Sequence, residues 1–202
     1  MLCGGGSRRM GRDKALLEVD GEPMARRVAG TIQAAGAVEV VAIGGDKTAL
    51  QALGLAVVPD RWPGEGPLGG LVLSLEMCSA DIVFVAACDL VAPSPNAIRS
   101  TVAWLVEHPD ADIAVPSHAT GPGERQARDE PSQWMHCAWR RQAVASLRAR
   151  FAGGERAINR AVRDTGLAVV TVPGVDPAAL ADVDTPEDLR RASAPSRTRP
   201  GR

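Results

Sequence analysis

The chain has almost no net charge. Its 23 Lys and Arg against 24 Asp and Glu leave −1 over 202 residues. A balance so close to zero gives no reason to expect a nucleic-acid or anionic-membrane partner. Apolar runs of membrane-crossing length are absent, so no transmembrane helix is expected. No secretory leader is expected either, because Met1-Leu2 runs straight into glycines. The four cysteines (Cys3, Cys78, Cys88, Cys137) form no C-x-x-C pair. They read as free thiols of a reducing, cytoplasmic setting, and Cys78, Cys88 and Cys137 as small core residues. His108, His118 and His136 share no metal-ligand spacing, which argues against a structural zinc site. Internal repeats are lacking too.

What the chain does have is concentrated at its start. Residues 1–14 hold four glycines, Arg8, Arg9, Arg12 and Lys14. Glycines let main-chain N–H groups approach a ligand closely. N–H donors beside cations suit a polyphosphate, and a nucleoside triphosphate is the expected anion. Two better-known loops are excluded. Gly6 and Gly11 have P-loop spacing, but Arg12-Asp13 follows where Lys and Ser/Thr are required. A dinucleotide fingerprint starting at Gly4 and Gly6 would need glycine where Arg9 stands.

Along the chain, extended and helical patterns alternate. Helices are predicted over Pro23–Ala35, Thr48–Leu53, Leu68–Met77, Pro95–Glu107, Gln142–Phe151, Arg156–Val162 and Pro186–Ala192. Strands are predicted over Val38–Ile43, Leu55–Val58, Asp112–Val115, Gln133–Trp139 and Ala168–Val172. The continuous apolar run Ile82–Ala87 reads as a central parallel strand. Residues Pro59–Gly66 read as a Pro- and Gly-rich loop, and His118–Pro131 as a mobile one. Such alternation implies βαβ units and a mostly parallel sheet. One domain is expected over residues 1–192, with a disordered basic tail over 193–202. A phosphate loop of this kind should follow a buried strand. Only Met1 and Leu2 precede Cys3, so the first central strand is expected to be truncated. The explanation offered is a start codon assigned too far downstream, which mass spectrometry of the native N-terminus would test.

The opening residues resemble the L-x-G-G-x-S-x-R-M-G-x-D-K signature of nucleotidyltransferases of the molybdenum cofactor guanylyltransferase type, the MobA-like NTP transferase family. Leu2, Gly4, Gly5, Ser7, Arg9, Met10, Gly11, Asp13 and Lys14 all match. The resemblance continues in order through Gly21-Glu22-Pro23-Met24, Gly66-Pro67-Leu68-Gly69-Gly70, Ala87-Cys88-Asp89 and Asp184-Thr185-Pro186-Glu187-Asp188-Leu189. It implies a three-layer α/β sandwich with a mostly parallel, Rossmann-like sheet of the nucleotide-diphospho-sugar transferase type.

Arg9 and Lys14 are candidate catalytic cations, able to offset charge that grows on departing pyrophosphate. Asp89 ends an apolar strand, where α/β sheets bind ligands. It could hold Mg²⁺ or cap the following turn. The resemblance supports the metal role. It also implies that Leu2, Cys3, Gly4 and Gly5 contact the nucleotide, the first three through their backbone, so that Cys3 is no nucleophile. Asp60 has two readings: nucleoside ligand, by resemblance, or turn former before Arg61-Trp62-Pro63. Gly66, Pro67 and Leu68 either pack against a base or simply make a tight loop. Asp184 would face the metal from the opposite side, although Thr185-Pro186 as a helix cap accounts for that motif alone. One departure concerns the base. Ala42-Ile43-Gly44-Gly45 stands where guanylyltransferases can carry a nucleotide-contacting Asn. Trp62 either joins the core or lines the site.

The function implied is Mg²⁺-dependent transfer of a nucleoside monophosphate, GMP from GTP, onto the phosphate of molybdopterin cofactor, with pyrophosphate released. Cytidylyl or sugar-phosphate transfer remains an alternative, as does non-catalytic nucleotide binding and cofactor delivery. Molybdoenzymes or cofactor-insertion proteins would be transient partners.

Overall fold

The computed structural model describes residues 1–4, 13–117, 133–183 and 185–192. Segments 5–12 and 118–132, Asp184 and residues 193–202 lie outside the described residues. The readings made on Gly5, Arg9, Asp184, the 118–131 loop and the tail therefore stand as expectations.

After residues 1–4, the described chain continues at 13 with a 3-10 turn at Lys14–Leu16 and a small hairpin of β1 (Glu18–Val19) and β2 (Glu22–Pro23). Asp20 and Gly21 join them with φ of 55° and 79°. Two successive positive φ values make the tight turn that favours Asp-Gly. Helix α1 (Met24–Ala34) follows, then β3 (Val41–Ile43), α2 (Lys47–Ala52) and β4 (Ala56–Val58). Next come α3 (Pro67–Met77), β5 (Ile82–Ala86), α4 (Pro95–Glu107) and β6 (Ile113–Pro116). The last elements are β7 (His136–Arg140), α5 (Val144–Ala152), α6 (Ile158–Thr165), β8 (Val169–Val172) and α7 (Pro186–Ala192).

Two pieces of sheet meet at the N-terminus. β3 and β4 pair in parallel, while β5, β7, β6 and β8 form a four-stranded sheet in that order. Leu2 bridges Ile43 on one side and Ala87 on the other, both in parallel. Its N–H donates to Ala86 O at 2.8 Å, and Cys3 N–H donates to Ile43 O at 2.9 Å. Residues 1–4 thus occupy the central strand position, and the spatial order is β4, β3, residues 1–4, β5, β7, β6, β8.

Side chains alternate across this seam as an extended chain requires. Leu2, Ile43, Val83 and Val85 face a core shared with α3, α5 and α6. Met1, Cys3, Ala42 and Phe84 face the opposite core, built on α1, α2 and the start of α4. Helices therefore cover both faces, giving three layers. Helix α3 is buried nearly all round (Leu68, Gly69, Leu71, Val72, Leu73, Ser74, Leu75) because α5 and α6 pack outside it. Beside Met1, β3 and β5 flank an apolar groove of about 310 Å³, lined by Val38, Val41, Met77 and Ile82 among others. The Met1 ammonium donates to Val41 O at 2.9 Å, and burial lowers its pKa.

Four expectations need correction. The Ile82–Ala87 strand is not parallel on both sides: along its length it pairs antiparallel with β7, with Ile82 opposite Arg140 and Ala86 opposite His136. An apolar run reports burial on both faces and says nothing of a partner's direction. The Val38–Ile43 strand shrinks to Val41–Ile43, and Val38 is fully exposed. Gln133–Met135 is a 3-10 turn, so that strand starts at His136. The helix placed at Arg156–Val162 runs over Ile158–Thr165, because residues 155–157 are spent on capping it.

Candidate active site

The parallel strands deliver their carboxyl ends to one side of the sheet, where α/β folds bind ligands. Gly4 ends the central strand, Gly44 follows β3, Asp60 follows β4 and Asp89 follows β5. Cys3 and Gly4 both donate to Ile43 O, at 2.9 and 3.2 Å. Gly44 N–H donates to Val58 O at 2.9 Å, which ties the β3 end to the β4 end.

Two glycines missed as functional candidates make this possible. Gly44 has φ of 75°, and a Cβ there would lie 3.0 Å from Gly4 Cα. Gly45 has φ of 76°, and its Cβ would lie 2.8 Å from Leu50 Cδ1 and 3.1 Å from Cys3 Cβ. Both positions need the positive φ and the missing side chain. A Gly-Gly pair directly after a strand was the available signal.

Asp60 is the turn former of its two readings, and its second oxygen is left facing the strand ends. Its Oδ1 accepts from Trp62 N–H at 2.9 Å, as a turn-forming Asp does. Its Oδ2 lies 3.4 Å from where a Cβ on Gly4 would sit, so the carboxylate also faces the backbone expected to meet the nucleoside.

Asp13 caps the 3-10 turn through Ala15 N–H at 3.0 Å and accepts from Asp46 N–H at 3.4 Å. This fixes the base of Lys14, whose Nζ reaches Asp89 Oδ2 at 3.0 Å. Their side chains are 20% and 15% exposed, so this ion pair is half-shielded rather than solvated. Asp89 is held from behind: Val183 N–H donates to its carbonyl at 2.9 Å, and Leu90 bridges Asp182. Lys14 and Asp89, 75 residues apart, are thus brought together. Asp184 follows Val183 in sequence but lies outside the described residues. Thr185 and Asp188 cap α7 reciprocally, with Thr185 N–H to Asp188 Oδ2 at 2.9 Å and Asp188 N–H to Thr185 Oγ1 at 3.2 Å. That gives the following motif residues a structural duty of their own.

Gly66 and Pro67 are exposed at the start of α3, Gly66 with φ of 83°. Leu68 is fully buried, and its N–H donates to Arg156 O at 3.3 Å. Gly69 abuts the Phe151 ring and Gly70 abuts Leu2, so the last two glycines of this motif serve packing. Trp62 is half-buried, 4.8 Å from the Phe151 ring, with Arg61 over its face. It supports the site wall.

None of the four cysteines is joined in a disulfide. Cys88 is held well above its ordinary pKa, first by a hydrogen bond with Cys3 and then by burial. It stays protonated at neutral pH and offers no thiolate nucleophile. No three acidic, His or Cys side chains gather as a metal cage among the described residues. Mg²⁺ does not need one: it keeps waters and takes one or two carboxylates plus substrate phosphates. Asp89, at a strand end and still partly exposed, suits that role.

Residues 1–183 match the model of the MobA-like NTP transferase domain. A molybdenum cofactor guanylyltransferase from Rhodobacter capsulatus is 36% identical over 197 residues, 95% of this chain and 92% of its own length. A probable molybdenum cofactor guanylyltransferase from Pelotomaculum thermopropionicum is 41% identical over 119 residues, 58% of this chain and 56% of its own length. Among solved structures, molybdopterin-guanine dinucleotide biosynthesis protein A from Archaeoglobus fulgidus superposes with a TM-score of 0.72 at 22% identity. That match covers 95% of this chain and 94% of the other and speaks for the fold alone. Strand-end glycines, the Lys14–Asp89 pair and the extent of the model match converge on one assignment: the chain belongs to the MobA-like NTP transferase family.

Proposed function

We propose that the protein is a Mg²⁺-dependent nucleotidyltransferase that moves GMP from GTP onto the phosphate of molybdopterin cofactor. The observation that carries this is the Lys14–Asp89 pair at 3.0 Å, set between the strand ends that Gly4, Gly44 and Asp60 define. Names borne by relatives over most of the chain support the acceptor. On this reading the pair is the resting arrangement. Incoming phosphates would take over Lys14, leaving Asp89 to hold the ion together with Asp184. When bound, Mg²⁺ would supply positive charge that offsets what grows on the leaving pyrophosphate.

The chain's own residues position the reactants. Backbone at Leu2, Cys3 and Gly4 and the Asp60 carboxylate hold the nucleoside, and exposed Gly66-Pro67 flanks the base. Lys14, with Arg9 and Gly5 of the opening loop, holds the triphosphate. Asp184 is the proposed second ligand to the ion. An oxygen of the acceptor phosphate then attacks the α-phosphorus. That P–O bond forms as the bond to the bridging β-phosphate oxygen breaks, and pyrophosphate departs. The same reading makes this a cytoplasmic step, followed by hand-over to a molybdoenzyme or insertion protein.

The test is pyrophosphate release with molybdopterin acceptor, Mg²⁺ and either GTP or CTP. GTP-selective release supports the proposal. Release selective for CTP would reassign the base, and nucleotide-dependent thermal stabilisation without turnover would leave a binding protein.

A further inference from the structure

The nucleoside side of the site is gripped from outside by one residue that no motif contains. We propose that Arg156 is the positioning residue for the turn spanning residues 60–68. This inference rests on the nucleotidyltransferase reading for its consequence, but not for its geometry.

Arg156 uses its backbone and its side chain on different targets. Its carbonyl accepts from Leu68 N–H at 3.3 Å, at the first turn of α3. Gly66 touches the same carbonyl: a Cβ there would stand 3.1 Å from Arg156 O. The guanidinium Nη1 donates to Phe151 O and Glu155 O, both at 2.9 Å. Its Nε reaches Glu65 Oε2 at 2.5 Å, within the turn itself. The guanidinium carbon also sits 4.4 Å from the centre of the Phe151 ring. That ring presses on Gly69 and lies 4.8 Å from Trp62. Trp62 N–H in turn donates to Asp60. A continuous set of contacts therefore runs from Arg156 to the carboxylate proposed to hold the nucleoside.

The anchor for this clamp is rigid. Glu155 Oε1 accepts from the N–H groups of Arg156 and Ala157, at 2.7 and 2.8 Å. Glu155 also pairs with Arg160 Nε at 2.9 Å. The Arg160 hydrogen bond, followed by those two amides, holds the Glu155 pKa down at about 2. The carboxylate thus caps α6, which has no side-chain cap at Ala157. Lysine cannot replace Arg156 here, because a point ammonium cannot reach two carbonyls and a carboxylate as a planar fork does.

The experiment compares wild type with Arg156→Ala and Arg156→Lys, using the exposed Arg163→Ala as a surface control. Hydrogen exchange of the amides at 60–69 is read first, without ligand. Both Arg156 variants should exchange faster there, Ala more than Lys, with α1 and β3 unchanged. Steady-state kinetics should then show KM for GTP raised roughly tenfold in Arg156→Ala with kcat within about threefold, and KM for the acceptor unmoved. Unchanged exchange at 60–69, or an unchanged GTP KM in an active enzyme, overturns the proposal. Faster exchange in a protein that binds no nucleotide in any form would instead sink the nucleotidyltransferase reading and leave the clamp standing.

Discussion

The two sides of the sheet, divided by residues 1–4, are built on different principles. On the β3–β4 side each strand has three residues, and the chain closes up through glycine contacts at the strand ends. On the β5–β8 side the strands have four or five residues. β7 is inserted antiparallel between β5 and β6, and Trp139, Cys137 and Ala138 are completely buried. On the proposed function, one side places atoms for a ligand; the other supplies apolar burial. Site geometry and bulk stability are thus largely separate, and they meet at the Lys14–Asp89 pair and at Leu2.

Four experiments can break or sharpen that contrast. Asp89→Ala should lower pyrophosphate release about a thousandfold, roughly 4 kcal/mol of transition-state stabilisation, while the protein still melts cooperatively. Wild-type release from this variant would defeat the metal assignment. Trp139→Ala should do the reverse, destabilising the fold by about 3–4 kcal/mol in denaturant titration while GTP affinity in the folded fraction stays put. A large affinity loss there would show that the two sides are coupled.

His136 offers a pH test on the stability side. It is buried, its Nδ1 has no hydrogen-bond partner among the described residues, and burial lowers its pKa from 6.5 to about 4. Between those values the unfolded chain takes up a proton that the folded one refuses. This residue's contribution is therefore fully present above pH 6.5 and is lost as pH falls toward 4, by about 3 kcal/mol in all. His136→Gln should flatten that part of the stability–pH curve. An unaltered slope would mean that other groups carry it. Gly44→Ala should show the smallest effect on stability, about 1–2 kcal/mol from forcing a Cβ into the left-handed region against Gly4. Its larger consequence should be weaker GTP binding, measured by calorimetry. Equal losses at Gly44→Ala and at an exposed helical site would argue against a glycine-built wall.

Much of this was legible in the sequence, for identifiable reasons. Strand and helix alternation gave the layers because periodicity is a local property. Ser94-Pro95 opens α4 where expected, with Ser94 Oγ accepting from Ala97 N–H at 3.3 Å. Asp89 and Lys14 could be chosen because each sits in a motif. Their 3.0 Å contact could not be read, since pairing across 75 residues is set by the sheet. The direction of β7 was hidden for the same reason. Arg156 was hidden because it sits among many arginines, and only the fold brings its carbonyl to Leu68. The Gly44-Gly45 pair is plain in the sequence, but the close approach it permits to Gly4 and Cys3 is set by the pairing of β3 with residues 1–4.

Leu2 links the two halves of the sheet through its bridges to Ile43 and Ala87, and Gly70 of α3 abuts its side chain. Shortening that side chain should therefore loosen sheet and helix together, so that melting temperature and GTP affinity fall in step.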